Sequence, residues 1–213
     1  MPNEQLLERL VSDLKPVRRR SVARDALVFA AVCVIELALF IGLGAMRPDM
    51  TAAMEAPSFW WKLGGLGLIA LVGSAVAIIS LDPARSPRRG LRWLVAIVAI
   101  CLAAGWIIDA SREGFSALAA RVDWPDGLLC VYKIVLLSVP PLVGLGLLMR
   151  RGAPTDTSGT ALAVGVAAAA WGAFVFVFAC PHDDPFYIAL WYALGCGLVT
   201  ILARFLLPRL TRW

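Results

Sequence analysis

The chain has one histidine, three tyrosines and 16% charged residues across 213 positions. A single histidine excludes a pair of catalytic imidazoles and the usual histidine-rich metal centres. No nucleophile stands beside a base in a recognisable motif and no glycine-rich phosphate loop is present, so the sequence does not read as an enzyme. Polar stretches long enough for a soluble domain are missing. Missing too is a short apolar core followed by small residues that would mark a cleavable signal peptide, so the first apolar run reads as a retained anchor.

What the chain does have is apolar length. Hydrophobic residues make up 60% of it, and its mean hydropathy is +0.79. Windows of about 18 to 20 apolar residues, enough to cross roughly 30 Å of hydrocarbon as a helix, occur near residues 26–46, 60–81, 91–108, 127–149, 160–179 and 186–207. The predicted fold is an all-α integral membrane protein. It has a six-transmembrane-helix bundle over residues 26–213, preceded by a short cytoplasmic segment, residues 1–25. Fifteen of the twenty Lys and Arg residues fall on one side of these spans, leaving Arg47, Lys62, Arg112, Arg121 and Lys133 for the other. Positive charge near span ends is retained in the cytoplasm, so both termini are expected there. The net charge of +5 then reflects topology and contact with anionic lipid, and direct nucleic-acid binding is not expected. A second copy of the chain is left open as a partner.

Ahead of the first span, Leu6, Leu7, Leu10, Val11 and Leu14 recur at three- and four-residue spacing, the stripe of an amphipathic helix. Asn3 suits its N-cap, Glu4 its first turn, and Pro16 ends it. A helix of about three turns is marginal alone in water, so its apolar face needs a partner. A protein groove, the bilayer interface and the bundle's own loops are the alternatives. Glu4, Glu8 and Asp13 outnumber Arg9 and Lys15 along it, a balance that favours a protein groove over an anionic membrane.

Within the spans, Glu36 falls near the bilayer centre. A carboxyl there is expected to face the bundle interior, either protonated or paired, with Lys133 the basic side chain at comparable depth. Pro140-Pro141 removes two backbone donors in mid-span and predicts a kink or break. Gly165, Ala168, Ala169 and Gly172 lie at four-residue spacing and predict close helix approach.

Cys33, Cys101 and Cys196 fall deep in spans, where a thiol behaves as a small apolar group. Cys130 and Cys180 instead sit at the extracytoplasmic boundary, at facing ends of consecutive antiparallel spans. Three readings stay open for them: an inert or stapling pair, a redox pair, or part of a mixed metal site with His182 and Asp183. No resident cofactor is implied beyond a Cys130–Cys180 disulfide or a transient heavy-metal ion.

Four stretches carry a resemblance to a known family. They are Leu10-Val-Ser-Asp-Leu-Lys-Pro-Val-Arg18, Met149-Arg-Arg-Gly-Ala-Pro154, Cys180-Pro-His-Asp-Asp-Pro-Phe with Trp191-Tyr192, and Leu207-Pro-Arg-Leu-Thr-Arg-Trp213. Together they resemble the NrsF-type membrane anti-sigma factors, negative regulators of an extracytoplasmic-function sigma factor in Gram-negative bacteria. The resemblance implies that the tail, including Pro16, Val17 and Arg18, holds the sigma factor at the membrane. It also implies that Cys130 and Cys180 sense oxidative or heavy-metal stress and trigger release. The chain departs from the family pattern at Ala179, where a histidine precedes the cysteine. The alternative reading is a small-solute or ion transporter using Glu36, and a third is a scaffold without signal input.

Overall fold

A computed structural model describes Glu8, residues 20–110 and residues 122–211. The amphipathic stripe at Leu6, Leu7, Leu10, Val11 and Leu14, with Pro16, Val17 and Arg18, lies outside the described residues. The described elements are helices: α1 (Val22–Gly42), α2 (Met50–Glu55), α3 (Pro57–Ser80), α4 (Arg88–Ala110), α5 (Trp124–Leu137), α6 (Val139–Arg151), α7 (Thr157–Phe176) and α8 (Pro185–Leu210). Six stretches among them are long and apolar enough to cross a membrane, with α5 and α6 forming one of these together. The expected all-helical, six-span bundle is what the chain forms.

Local chemistry sets where the spans begin. Ser21 accepts a hydrogen bond from the Arg24 N–H at the start of α1, Asp156 accepts from the Gly159 N–H at α7, and Asp184 accepts from the Phe186 N–H at α8. Each satisfies a donor that the first turn leaves unpaired. Pro57 and Pro185 sit in the first turns of α3 and α8, where a missing N–H costs nothing. The break foreseen from Pro140-Pro141 falls at Ser138, between α5 and α6, where the Ser138 hydroxyl donates to the Ile134 carbonyl at 2.7 Å.

α7 is the most buried span and α4 the least. Small residues explain how α7 takes the centre, because in lipid helices associate by close packing rather than by hydrophobic exclusion. A Cβ on Gly172 would lie 2.6 Å from the Ser138 nitrogen, and one on Gly165 would lie 2.8 Å from the Thr200 Cα. α7 therefore meets the α5/α6 break and α8 nearly backbone to backbone. Two apolar cores result. One, at the end carrying Arg20, Arg88 and Arg151, gathers Phe29, Leu81, Leu145, Met149 and Val164; the other, at the opposite end, gathers Phe59, Cys130, Phe176, Cys180, Tyr187 and Trp191. Outward-facing Leu27, Val34, Leu71, Val95, Ile100 and Ile107 are exposed, as the lipid-facing side of a spanning bundle requires.

Candidate functional site

The second core ends in a cap of polar groups around the loop between α7 and α8. After α7 the chain turns, and the Cys180 N–H donates to the Phe176 carbonyl. From there Cys180, Pro181, His182 and Asp183 pass over the bundle to the cap at Asp184. Cys180 is fully buried and Cys130, from the first turns of α5, is 4% exposed; both are free thiols. The two side chains lie together, and the Tyr187 hydroxyl from α8 stands 3.3 Å from the Cys130 sulfur. The sequence-based placement of this pair at facing ends of consecutive spans is what brings them into one core.

Charge holds the loop over them. Arg47, from the segment between α1 and α2, donates to the Cys180 carbonyl at 3.0 Å and pairs with Asp183 and Asp49. Lys62, from α3, donates to the His182 carbonyl at 3.0 Å and pairs with Asp183 at 2.9 Å. Neither cation is open to water, with side-chain exposures of 4% for Arg47 and 0% for Lys62. Two buried cations are tolerated here because Asp183 bridges both and backbone carbonyls take their remaining donors. The Arg47 guanidinium in turn holds the Asp49 carboxyl down to about 2. These two residues read in sequence as minority topological charges; their burial against Asp183 links segments more than a hundred positions apart and leaves no local pattern.

The electrostatics single out one thiol. The neighbouring Cys130 side chain, and after it the positive charge of Lys62, lower the Cys180 thiol to about 6 against the opposing effect of burial. Lowering the thiol favours its thiolate, the nucleophile and the metal-binding form. The pair can therefore form a disulfide or take up a soft metal ion.

The mixed ligand set Cys130, Cys180, His182 and Asp183 is not assembled. Asp183 is taken by Arg47 and Lys62, and the His182 ring stacks on Tyr187 at 4.1 Å with its Nε2 3.3 Å from Asp126. What clusters instead is His182 with Asp123 and Asp126, the two carboxylates exposed. The Lys133 partner foreseen for Glu36 is also corrected: Lys133 lies over the Phe176 ring, whereas Glu36 accepts from the Trp171 indole N–H at 3.0 Å and keeps its other oxygen buried without a partner.

A family described as "Negative regulator of sigma F", NrsF, matches residues 10–213. The chain is 28% identical to the anti-sigma-F factor NrsF of Caulobacter vibrioides and 27% identical to a probable anti-sigma-F factor NrsF of Azospira oryzae, in both cases over the full length of both proteins. No solved structure matches it.

Proposed function

The chain belongs to the NrsF family of negative regulators of sigma F, and from that premise we propose a membrane-bound anti-sigma factor with a thiol input. It sequesters an extracytoplasmic-function sigma factor at the inner membrane through Leu6, Leu7, Leu10, Val11 and Leu14, with Pro16, Val17 and Arg18 leading into the first span. It releases that factor when oxidative or heavy-metal stress modifies Cys130 and Cys180. The observation that carries the thiol input is the pairing of these cysteines in a buried pocket, with a buried ammonium and a guanidinium clamping the loop that holds one of them. The full-length match to anti-sigma-F factors supports the output. Orientation follows from the Lys and Arg imbalance, which puts the thiols on the oxidising side and the tail in the cytoplasm.

Disulfide formation or metal capture joins α5 to the loop leading into α8. A tenfold loss of sigma affinity requires about 1.4 kcal/mol of coupling between that event and the tail. The test is co-purification. Detergent-solubilised, reduced protein from its native host is expected to carry a sigma factor when wild type and to lose it in Leu10→Asp. A thiol oxidant is expected to strip the factor from wild type but not from the Cys130→Ser, Cys180→Ser double variant. Full release from that double variant would refute the sensor role, and an empty wild-type eluate would refute the tether.

A further inference from the structure

The lipid-facing side of the bundle carries a groove of about 420 Å³ between α6 and α8. Sequence spacing builds its rims. Val139, Val143 and Leu147 recur every fourth residue on α6, and Leu202, Leu206 and Leu210 do the same on α8. Rows at that spacing form ridges along a helix, and all six side chains are exposed. Between the ridges lie Gly146 and Ala203, both buried. A Cβ on Gly146 would stand 3.2 Å from the Leu207 Cδ2, so small residues set the floor. α8 packs along α5 but touches α6 little. The two helices therefore part beyond the Ser138 break and leave that floor open to the bilayer.

The two ends of the groove differ, and the difference says what fills it. One end reaches Val135 and Ser138 at the α5/α6 break, and the other reaches Arg150 and Thr211. From Ser138 to Arg150, twelve residues of helix rise about 18 Å, close to one leaflet of a hydrocarbon core roughly 30 Å thick. A spanning helix of a second copy needs a seam through both leaflets, which a groove ending in mid-span does not offer. A chain anchored at the arginine-rich interface fits that length. Charge selects the anchor. Neither α6 nor α8 contains Asp or Glu, whereas Arg150, Arg151, Arg204 and Arg209 all lie toward this end. Arg150 is exposed and pairs with no carboxylate among the described residues. Basic pockets between spanning helices take anionic lipid headgroups.

We propose that this groove binds an anionic glycerophospholipid, with its phosphate at the Arg150 guanidinium and one acyl chain lying between the two ridges, its end at the Ser138 break. The guanidinium presents a planar fork of donors that matches two phosphate oxygens. The chain occupies the floor that Gly146 and Ala203 leave open. A zwitterionic lipid brings the same chains but sets an ammonium against the arginine end, and so binds less well. The bound lipid ties the arginine-rich end of α6 to α8, on the side of the break away from Cys130. The site stands whether or not the thiols act as a sensor.

The experiment is native mass spectrometry of the full chain, delipidated in detergent and titrated with dioleoylphosphatidylglycerol. One saturable lipid per chain is expected in wild type and in Arg209→Gln, which removes an arginine of the same end that does not line the groove. Binding is expected to weaken about fivefold in Arg150→Gln, the effect of one basic side chain at a membrane surface. A similar loss is expected when dioleoylphosphatidylcholine replaces the anionic lipid. Val143→Trp, on the exposed rim, is expected to fill the groove and abolish saturable binding with Tm unchanged; if that variant unfolds, the arginine pair decides alone. Equal losses in Arg150→Gln and Arg209→Gln, or adducts that never saturate, reflect annular lipid and overturn the site. Undiminished binding in a folded Val143→Trp overturns the chain's place in the groove. Displacement by glycerol phosphate would make this a phosphate site without a chain, and a dimer that forms only without lipid would make the groove an interface between copies. Either overturns the proposal.

Discussion

The loop over the thiols is held by Arg47, which Asp49 also pairs, and by Lys62, both bonded to Asp183. Asp183 neutralises two cations at once, and its own side chain is 26% exposed while theirs are sealed. Asp183→Asn leaves Arg47 and Lys62 buried with too little negative charge. The expected loss is on the order of 2–3 kcal/mol, less than for a fully buried pair because solvent reaches Asp183; thermal unfolding in detergent measures it. Cys130, and after it Lys62 of the same cradle, lower the Cys180 thiol. An ordinary thiol ionises near pH 8.5, so a Cys180 lowered to about 6 has its thiolate appear well below that pH. The ultraviolet thiolate absorbance of wild type minus Cys180→Ser is expected to rise with pH through a midpoint below that of an ordinary thiol. In Lys62→Met that midpoint is expected to move upward, because the ammonium that favours the anion is gone; an unmoved midpoint would remove Lys62 from the account. These relations could not be read from sequence. Arg47, Lys62 and Asp183 carry no spacing that joins them, and only tertiary folding shows that two of the five minority charges are buried beside the cysteine loop. The cysteine pair itself was legible, because span ends can be counted and both residues fall at the same face.

At the scale of elements, the spans were legible because lipid imposes one length on every apolar helix. Their edges were less so. α1 and α7 start four and three residues earlier than hydropathy alone suggests, directly after the capping side chains of Ser21 and Asp156, and α8 one residue earlier, after Asp184. α2 has six residues, too few to leave a periodic signal. The small-residue stripe of α7 did carry information, and it has a sharp consequence at Gly172, which packs on the backbone around Ser138. Gly172→Leu has no room there except by parting α7 from the α5/α6 break, with backbone rather than a flexible side chain in the way. An overpacked core typically costs 1–3 kcal/mol, and this site is expected at or above the top of that range, read as lower yield and lower Tm. Gly197→Ala, facing open space, is the control expected to leave both unchanged.

Under the proposed function, an event at the thiol end has to reach the tail at the other. Cys130 lies near the start of α5, and Arg150 and Arg151 lie at the far end of α6, so the α5/α6 span runs directly between the two faces. Its interruption at Ser138, followed by Pro140 and Pro141, is the place where one half can move without the other. Gly172 of α7 presses on that same point, so a shift of α5 is also passed to the central helix. Restoring the missing backbone donors with Pro140→Ala plus Pro141→Ala straightens and stiffens the span. If α5 and α6 move as separate bodies during release, the variant still binds the sigma factor when reduced, still oxidises its thiols, and releases about tenfold less of the factor. That is the loss of about 1.4 kcal/mol of coupling. Co-purification from reduced and oxidised membranes reads all three quantities in one preparation. Undiminished release from the straightened span would place the transmission in α7 and α8, through the loop that carries Cys180, and would make the proline pair a packing feature alone.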